Sequence, residues 1–178
     1  MTAAMGDILL VLLSREPRSV LDLQQGYTDI FGDRAVPDVI RIVATLTRLE
    51  RGGFVRTVAW SPGSRSAARR VVALTPAGQQ RQRAWLLDPP PDVDRSEVYA
   101  RAMLAVAYAD RATFDGAIGA CRRVVDRQRS AIEDRPGAVD AAGSVKGARA
   151  SFEVAALSSL GSWLYHLRGV TRDRDAPP

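Results

Sequence analysis

The chain has one cysteine (Cys121), one histidine (His166) and one lysine (Lys146) in 178 residues. A single cysteine excludes an intrachain disulfide and fits a reducing, cytoplasmic setting. One histidine and one cysteine far apart in sequence leave no basis for a His-rich metal site or a Cys/His nucleophile pair. No paired-carboxylate constellation stands out either. The chain therefore reads as a non-enzyme without cofactor or metal. No apolar run approaches the roughly 20 residues of a membrane span. The opening segment MTAAMGDILLVLLSREP has an apolar centre, no basic residue before it, an internal Asp7 and no convincing cleavage site, so it reads as a first helix and not a signal peptide.

Negative charge is missing from one stretch. Between Arg51 and Leu87 there are seven arginines and no Asp or Glu, in a chain that is 25% charged. Residues 1–88 hold 12 arginines against 8 acids, an excess of +4; residues 89–178 hold 13 basic against 12 acidic residues, +1. Basicity concentrated in one half points to a polyanionic partner there. With a single lysine, some of the arginine reflects compositional bias, which does not account for the missing carboxylates.

A hydrophobic content of 46% supports a packed core. Asp7 is a candidate cap for a first helix that stops before Pro17. Ser19 caps a second, which Gly32 ends. Pro37 suits the first turn of a third, in which Ile42, Val43, Leu46 and Leu49 recur at helical spacing until Gly52-Gly53. The period then falls towards 2 in FVRTVAW, SPGS makes a turn, and RRVVAL gives a second strand. Thr75 and Pro76 open a fourth helix as cap and first residue. Three helices, a hairpin and a helix in this order describe a winged helix-turn-helix. The expected class is mostly α (α+β): a DNA-binding domain at 1–88 with a two-stranded wing, then a helical dimerisation domain at 89–178. The latter includes a Pro-rich linker at 89–95 and a polar tail at 170–178.

In that second half Ser96 begins a helix. A further helix carries Phe114, Ile118, Cys121, Val125, Gln128 and Ile132, an apolar seam with one polar break. EDRPGAVDAAGSVKGARA reads as a loop. A last helix places Phe152, Ala156, Leu160, Trp163 and Leu167 on one face, widened by Leu157 and Leu164.

A helix-turn-helix reads duplex DNA by setting its second helix in the major groove, with polar side chains towards base edges and cations towards phosphates. The candidate DNA-binding residues are Asp38, Arg41, Thr45 and Arg48 on the third helix and Ser64, Arg65, Ser66, Arg69 and Arg70 at the hairpin tip. Arg41 is the strongest candidate for a guanine or phosphate contact. Asp38 either accepts from a cytosine amine or favours the helix N-terminus, and the second reading carries more weight. Two half-sites require a two-fold dimer, for which Phe114, Ile118, Cys121, Val125, Ile132, Leu160, Trp163 and Leu167 are the expected interface. Trp85, Tyr99, Trp163 and Tyr165 are candidates for a small-molecule effector pocket, against the commoner role of aromatics as core. His166 reads as a partner of the helix C-terminus, and Cys121 as a small buried apolar residue.

The segment ILLVLLSREPRSVLDLQQGYTDIFG resembles the opening of PadR-family transcriptional regulators. VATLTRLERGGFVR is similar to that family's YxxLxxLExxGxV core, and RRVVALTPAGQQRQRAWL to its second wing strand and YxLTxxG helix start. Together these pieces cover residues 8–87. The resemblance implies a dimeric bacterial regulator, a repressor, that responds to phenolic or drug-like effectors. Val43 stands where the family has a tyrosine, PDVIRI replaces a PGTIY-like string, and LQQGY lacks the preceding His-Gly. These departures leave open an alternative, a winged-helix protein-interaction module with weak or lost DNA binding.

Overall fold

The structure is a computed structural model and describes residues 4–33, 36–60, 70–134 and 144–174. Helix α1 (Ala4–Leu12) is apolar on all sides, and Ile8 through Leu13 are buried. A helix of that kind belongs at the centre, and α1 packs against α2 (Val20–Phe31), α3 (Val39–Arg51), α4 (Pro76–Leu87) and α5 (Arg95–Tyr108). Asp7 lies inside α1 and is not its cap, because the helix begins three residues earlier. Its carboxylate instead accepts from Arg81 Nε at 2.7 Å and Nη2 at 3.3 Å.

Ser19 caps α2 in a reciprocal box. Its hydroxyl accepts from the Asp22 amide at 3.2 Å, and Asp22 accepts from the Ser19 amide at 3.0 Å. Gly32, at φ +74°, ends the helix in the left-handed region that glycine adopts without strain. Asp38 caps α3 by accepting from the Arg41 amide at 2.6 Å, so Pro37 sits just outside the helix and not in its first turn.

The wing comprises β2 (Val55–Trp60) and β3 (Arg70–Leu74), antiparallel, with Val55 opposite Leu74 and an irregularity between Thr57 and Ala59. The two-stranded wing is joined by a third strand. A two-residue β1 (Arg18–Ser19), too short to show a period in sequence, lies along β3 in the order β1-β3-β2. Thr75 and Pro76 open α4 as cap and first residue. Gly78 is a packing requirement: a Cβ there would overlap the Phe54 carbonyl oxygen, so only glycine lets the first turn of α4 close onto the end of the wing.

Asp94 caps α5, which therefore begins at Arg95, one residue before the expected Ser96. Asp110 caps α6 (Arg111–Glu133), and α7 (Val145–Arg174) runs for 30 residues, into the segment expected as a polar tail. The pairs Asp115 with Arg168, Arg122 with Tyr165 and Val125 near Gly161 make α6 and α7 antiparallel. Buried residues of α1–α4 and of α5–α7 form one apolar cluster. The α6 seam is spent within the chain: Phe114, Ile118, Cys121 and Val125 are buried against neighbouring helices, so they cannot serve as a dimer surface. The reason is the length of α7, which covers α6 along most of its course. Burial pushes the Cys121 thiol up to about 11, in keeping with an inert apolar role. Ile132, Leu160, Trp163 and Leu167 are only partly buried.

Candidate nucleic-acid interface

The turn between α2 and α3 is held by Gln24, whose side-chain amide donates to the Pro37 carbonyl at 3.0 Å. Behind it, Ile42, Leu46 and Leu49 fix the inward face of α3. At about 100° per residue, the opposite face is then Ile40, Arg41, Ala44, Thr47, Arg48 and Arg51, and all of these except the half-buried Thr47 are exposed. Arg41, Arg48 and Arg51 make no ion pair among the described residues, and neither does exposed Arg56 on β2. This is a cationic face on the second helix of a helix-turn-helix, the element that enters a groove.

Thr45 is not on it. It is 3% exposed, donates to the Arg41 carbonyl at 2.8 Å, lies 3.9 Å from the Met5 sulfur, and accepts from Arg48 Nη2 at 3.3 Å. Thr45 therefore shapes the helix and helps hold Arg48, and it cannot reach a base. Asp38 is occupied as the α3 cap. Ile40 and Ala44 are absent from the sequence-based candidates, which were chosen among polar residues. The phase set by Ile42 and Leu49 is enough to place both outside.

Arg70 also departs from expectation. Its guanidinium is 11% exposed and donates to Glu50 at 2.8 Å. Glu50 additionally accepts from the Thr57 amide at 2.9 Å and hydroxyl at 2.8 Å, so one carboxylate ties the end of α3 to both wing strands. The arginine-rich stretch from Arg51 to Leu87 is thus partly neutralised by carboxylates that precede it in sequence, Glu50 for Arg70 of the wing and Asp7 for Arg81 of α4. Ser64, Arg65, Ser66 and Arg69 lie outside the described residues.

The Thr57 hydroxyl, with the Thr57 amide and Arg70, holds the Glu50 carboxyl below its ordinary 4.5 despite some burial. A carboxylate with a depressed folded pKa contributes stability that is present above its unfolded pKa and lost as pH falls through the folded value. Glu50→Ala should therefore destabilise by about 2 kcal/mol at neutral pH, less than a fully buried pair because Glu50 is one-third exposed. The difference from wild type should shrink below about pH 4.5. Urea melts of both proteins at pH 7 and pH 3.5 check this; a constant difference across the two would show that the carboxylate is not the source.

The four aromatic effector candidates occupy three places. Tyr99 stacks on Trp163, ring centroids 5.5 Å apart, and Phe31 and Tyr27 extend the row into α2 at 6.5 and 4.6 Å. Trp85 lies under the Arg101 guanidinium, 4.3 Å from its ring centre. Tyr165 packs with Arg122 beside a cleft of about 240 Å³ between α6 and α7. Residues two apart on a helix point about 200° from each other, which separates Tyr165 from Trp163 and Arg101 from Tyr99. His166 Nδ1 lies 2.7 Å from the Ser162 carbonyl, one turn back in α7. Among the described residues no group of His, Cys, Asp or Glu is placed to hold a metal ion, and no helix is long and apolar enough to cross a membrane.

No protein-family model matches this chain, and no curated protein does. Among solved structures it aligns with Bacillus subtilis PadR in complex with operator DNA at 16% identity and a TM-score of 0.44, over 94% of this chain and 97% of that one. The same PadR in complex with p-coumaric acid aligns at 16% identity and a TM-score of 0.41, over 99% and 98%. A PadR-like transcriptional regulator from Bacillus cereus aligns at 19% identity and a TM-score of 0.39, over 94% and 98%.

Proposed function

We propose that this protein is a sequence-specific, dimeric regulator of transcription that binds double-stranded DNA and acts as a repressor in the cytoplasm. The observation that carries the reading is the outward face of α3, where Arg41, Arg48 and Arg51 are exposed and make no ion pair among the described residues, on the second helix of a helix-turn-helix. Exposed Arg56 of β2 adds a further cation for phosphates, and Ser64, Arg65, Ser66 and Arg69, which lie outside the described residues, are proposed as further DNA contacts. The domain division is proposed at Asp88, with α5–α7 supplying the dimer. Phe152 and Tyr165 are exposed and Leu160, Trp163, Leu167 and Ile132 partly so, which leaves apolar area for a second copy. A small aromatic effector is proposed at Tyr99 and Trp163, where the ring row crosses from α2 to α5 and α7 and a ligand would bias how the helix-turn-helix sits on the C-terminal helices.

Selection of bound duplexes from a random pool, with the mass of the complex measured alongside, tests the reading. The expected result is a palindromic site, half-sites about one helical turn apart, bound by two chains. Affinity should fall steeply with salt, each phosphate contact adding about −0.9 to the log–log slope. Failure to enrich any site would favour a protein-interaction module that keeps the winged fold.

A further inference from the structure

Ile40 has no role in folding that its surroundings explain. It is 81% exposed, in the first turn of α3, directly after Asp38 and Val39. A β-branched side chain loses rotamer freedom in a helix, and an exposed isoleucine gains nothing from burial in return. Ala44, one turn on, lies at the middle of the same exposed face and leaves the helix surface low there. Arg41, Arg48 and Arg51 stand on the same exposed face and attract phosphates. The centre of a cationic face is thus apolar and its leading residue is branched.

We propose that Ile40 is a specificity-determining residue that packs on the C5-methyl group of a thymine in the major groove, with Ala44 allowing the close approach. The inference rests on the reading of α3 as a DNA-binding helix. The major groove displays one apolar group, the thymine methyl, and side chains without polar atoms read it by contact. The N-terminal residues of a recognition helix are those that reach base edges, which is where Ile40 stands. A hydrogen-bonding residue at this position would leave the methyl unread; an isoleucine disfavours a cytosine by leaving its amine desolvated and unpaired, and an unmethylated C5 edge by losing the apolar contact.

The test uses the full chain and the site enriched by selection. Each thymine of one half-site is replaced in turn by deoxyuridine, which deletes only the methyl group. One replacement should weaken wild-type binding about fourfold, the worth of one buried methyl-sized group. The same replacement should leave Ile40→Ala binding unchanged, and Ile40→Val should keep most of the methyl dependence. Ile40→Ala should also relax the base preference at that one position in a repeated selection, while its thermal midpoint stays at the wild-type value because the side chain is solvated. If a duplex is bound specifically but no thymine shows a methyl dependence that disappears in Ile40→Ala, the assignment of Ile40 is wrong and the DNA-binding reading survives. If no duplex is bound specifically, the DNA-binding reading falls and takes the assignment with it.

Discussion

Glu97→Ala should lower stability by about 3–5 kcal/mol, because it leaves a guanidinium buried without its carboxylate. Arg101 on α5 is 2% exposed. It donates to Glu97 Oε1 from Nη2 at 2.5 Å and from Nε at 3.1 Å. Its Nη1 donates to the Trp85 carbonyl, in the last turn of α4, and its plane covers the Trp85 ring. That carbonyl is among the last four of α4, which have no partner inside their own helix, and a cation there also meets the negative end of the helix dipole. The cluster thus joins the last helix of the winged half to the first helix of the other half. A loss of 3–5 kcal/mol corresponds to a fall of about 6–20 °C in the thermal midpoint for a chain of this size. Glu97→Leu/Arg101→Met, which removes both charges and keeps volume, should recover most of the loss, since a buried pair replaced by packed apolar groups is often neutral. A Glu97→Ala protein that melts within about 2 °C of wild type would show that the Arg101 charge finds water or another partner.

The second large effect concerns binding. Arg41→Ala/Arg48→Ala/Arg51→Ala should weaken specific duplex binding by about 100-fold or more at fixed salt. Because two chains bind, the variant dimer loses up to six phosphate-class contacts, which should also flatten the log–log salt slope by up to about 5.4. All three side chains are exposed and outside the core, so the thermal midpoint should hold within about 2 °C. Titration of a labelled duplex at several salt concentrations separates the two readouts. A triple variant that keeps both the affinity and the slope of the parent would remove α3 from the interface and leave the wing alone to account for any binding.

Local signals placed most of the elements. Ser19, Thr75 and the glycines at 32 and 53 stand where caps and stops were expected, because a cap needs only one side chain and the amides within its own turn. The expected wing strands run within FVRTVAW and RRVVAL for a similarly local reason, the change of period from 3.6 to 2. The outward face of α3 was legible in its phase and was misread in its chemistry: Thr45 was placed outside for being polar, and Ile40 was not considered for it. The inward rows of Ile42, Leu46 and Leu49 decide both positions against that intuition.

What the sequence determined by itself was therefore whatever neighbouring residues settle among themselves: the helices, their caps, the hairpin, and the helix-turn-helix order that implies a groove-reading face. What only the tertiary structure decided was which long-range partner each charged or apolar side chain meets. Asp7 reaches Arg81, Glu50 reaches Arg70, and Arg101 reaches across to Trp85. Most of the α6 seam, which the sequence led us to expect against a second copy, is buried by helices of its own chain. Charge bookkeeping over a sequence window cannot see such pairs, since an ion pair depends on distance in space and the carboxylates that neutralise Arg70 and Arg81 lie outside that window. Among the described residues, the positive surface left after these pairings is smaller than the sequence suggested, and Arg41, Arg48 and Arg51 of α3 and Arg56 of β2 are part of it.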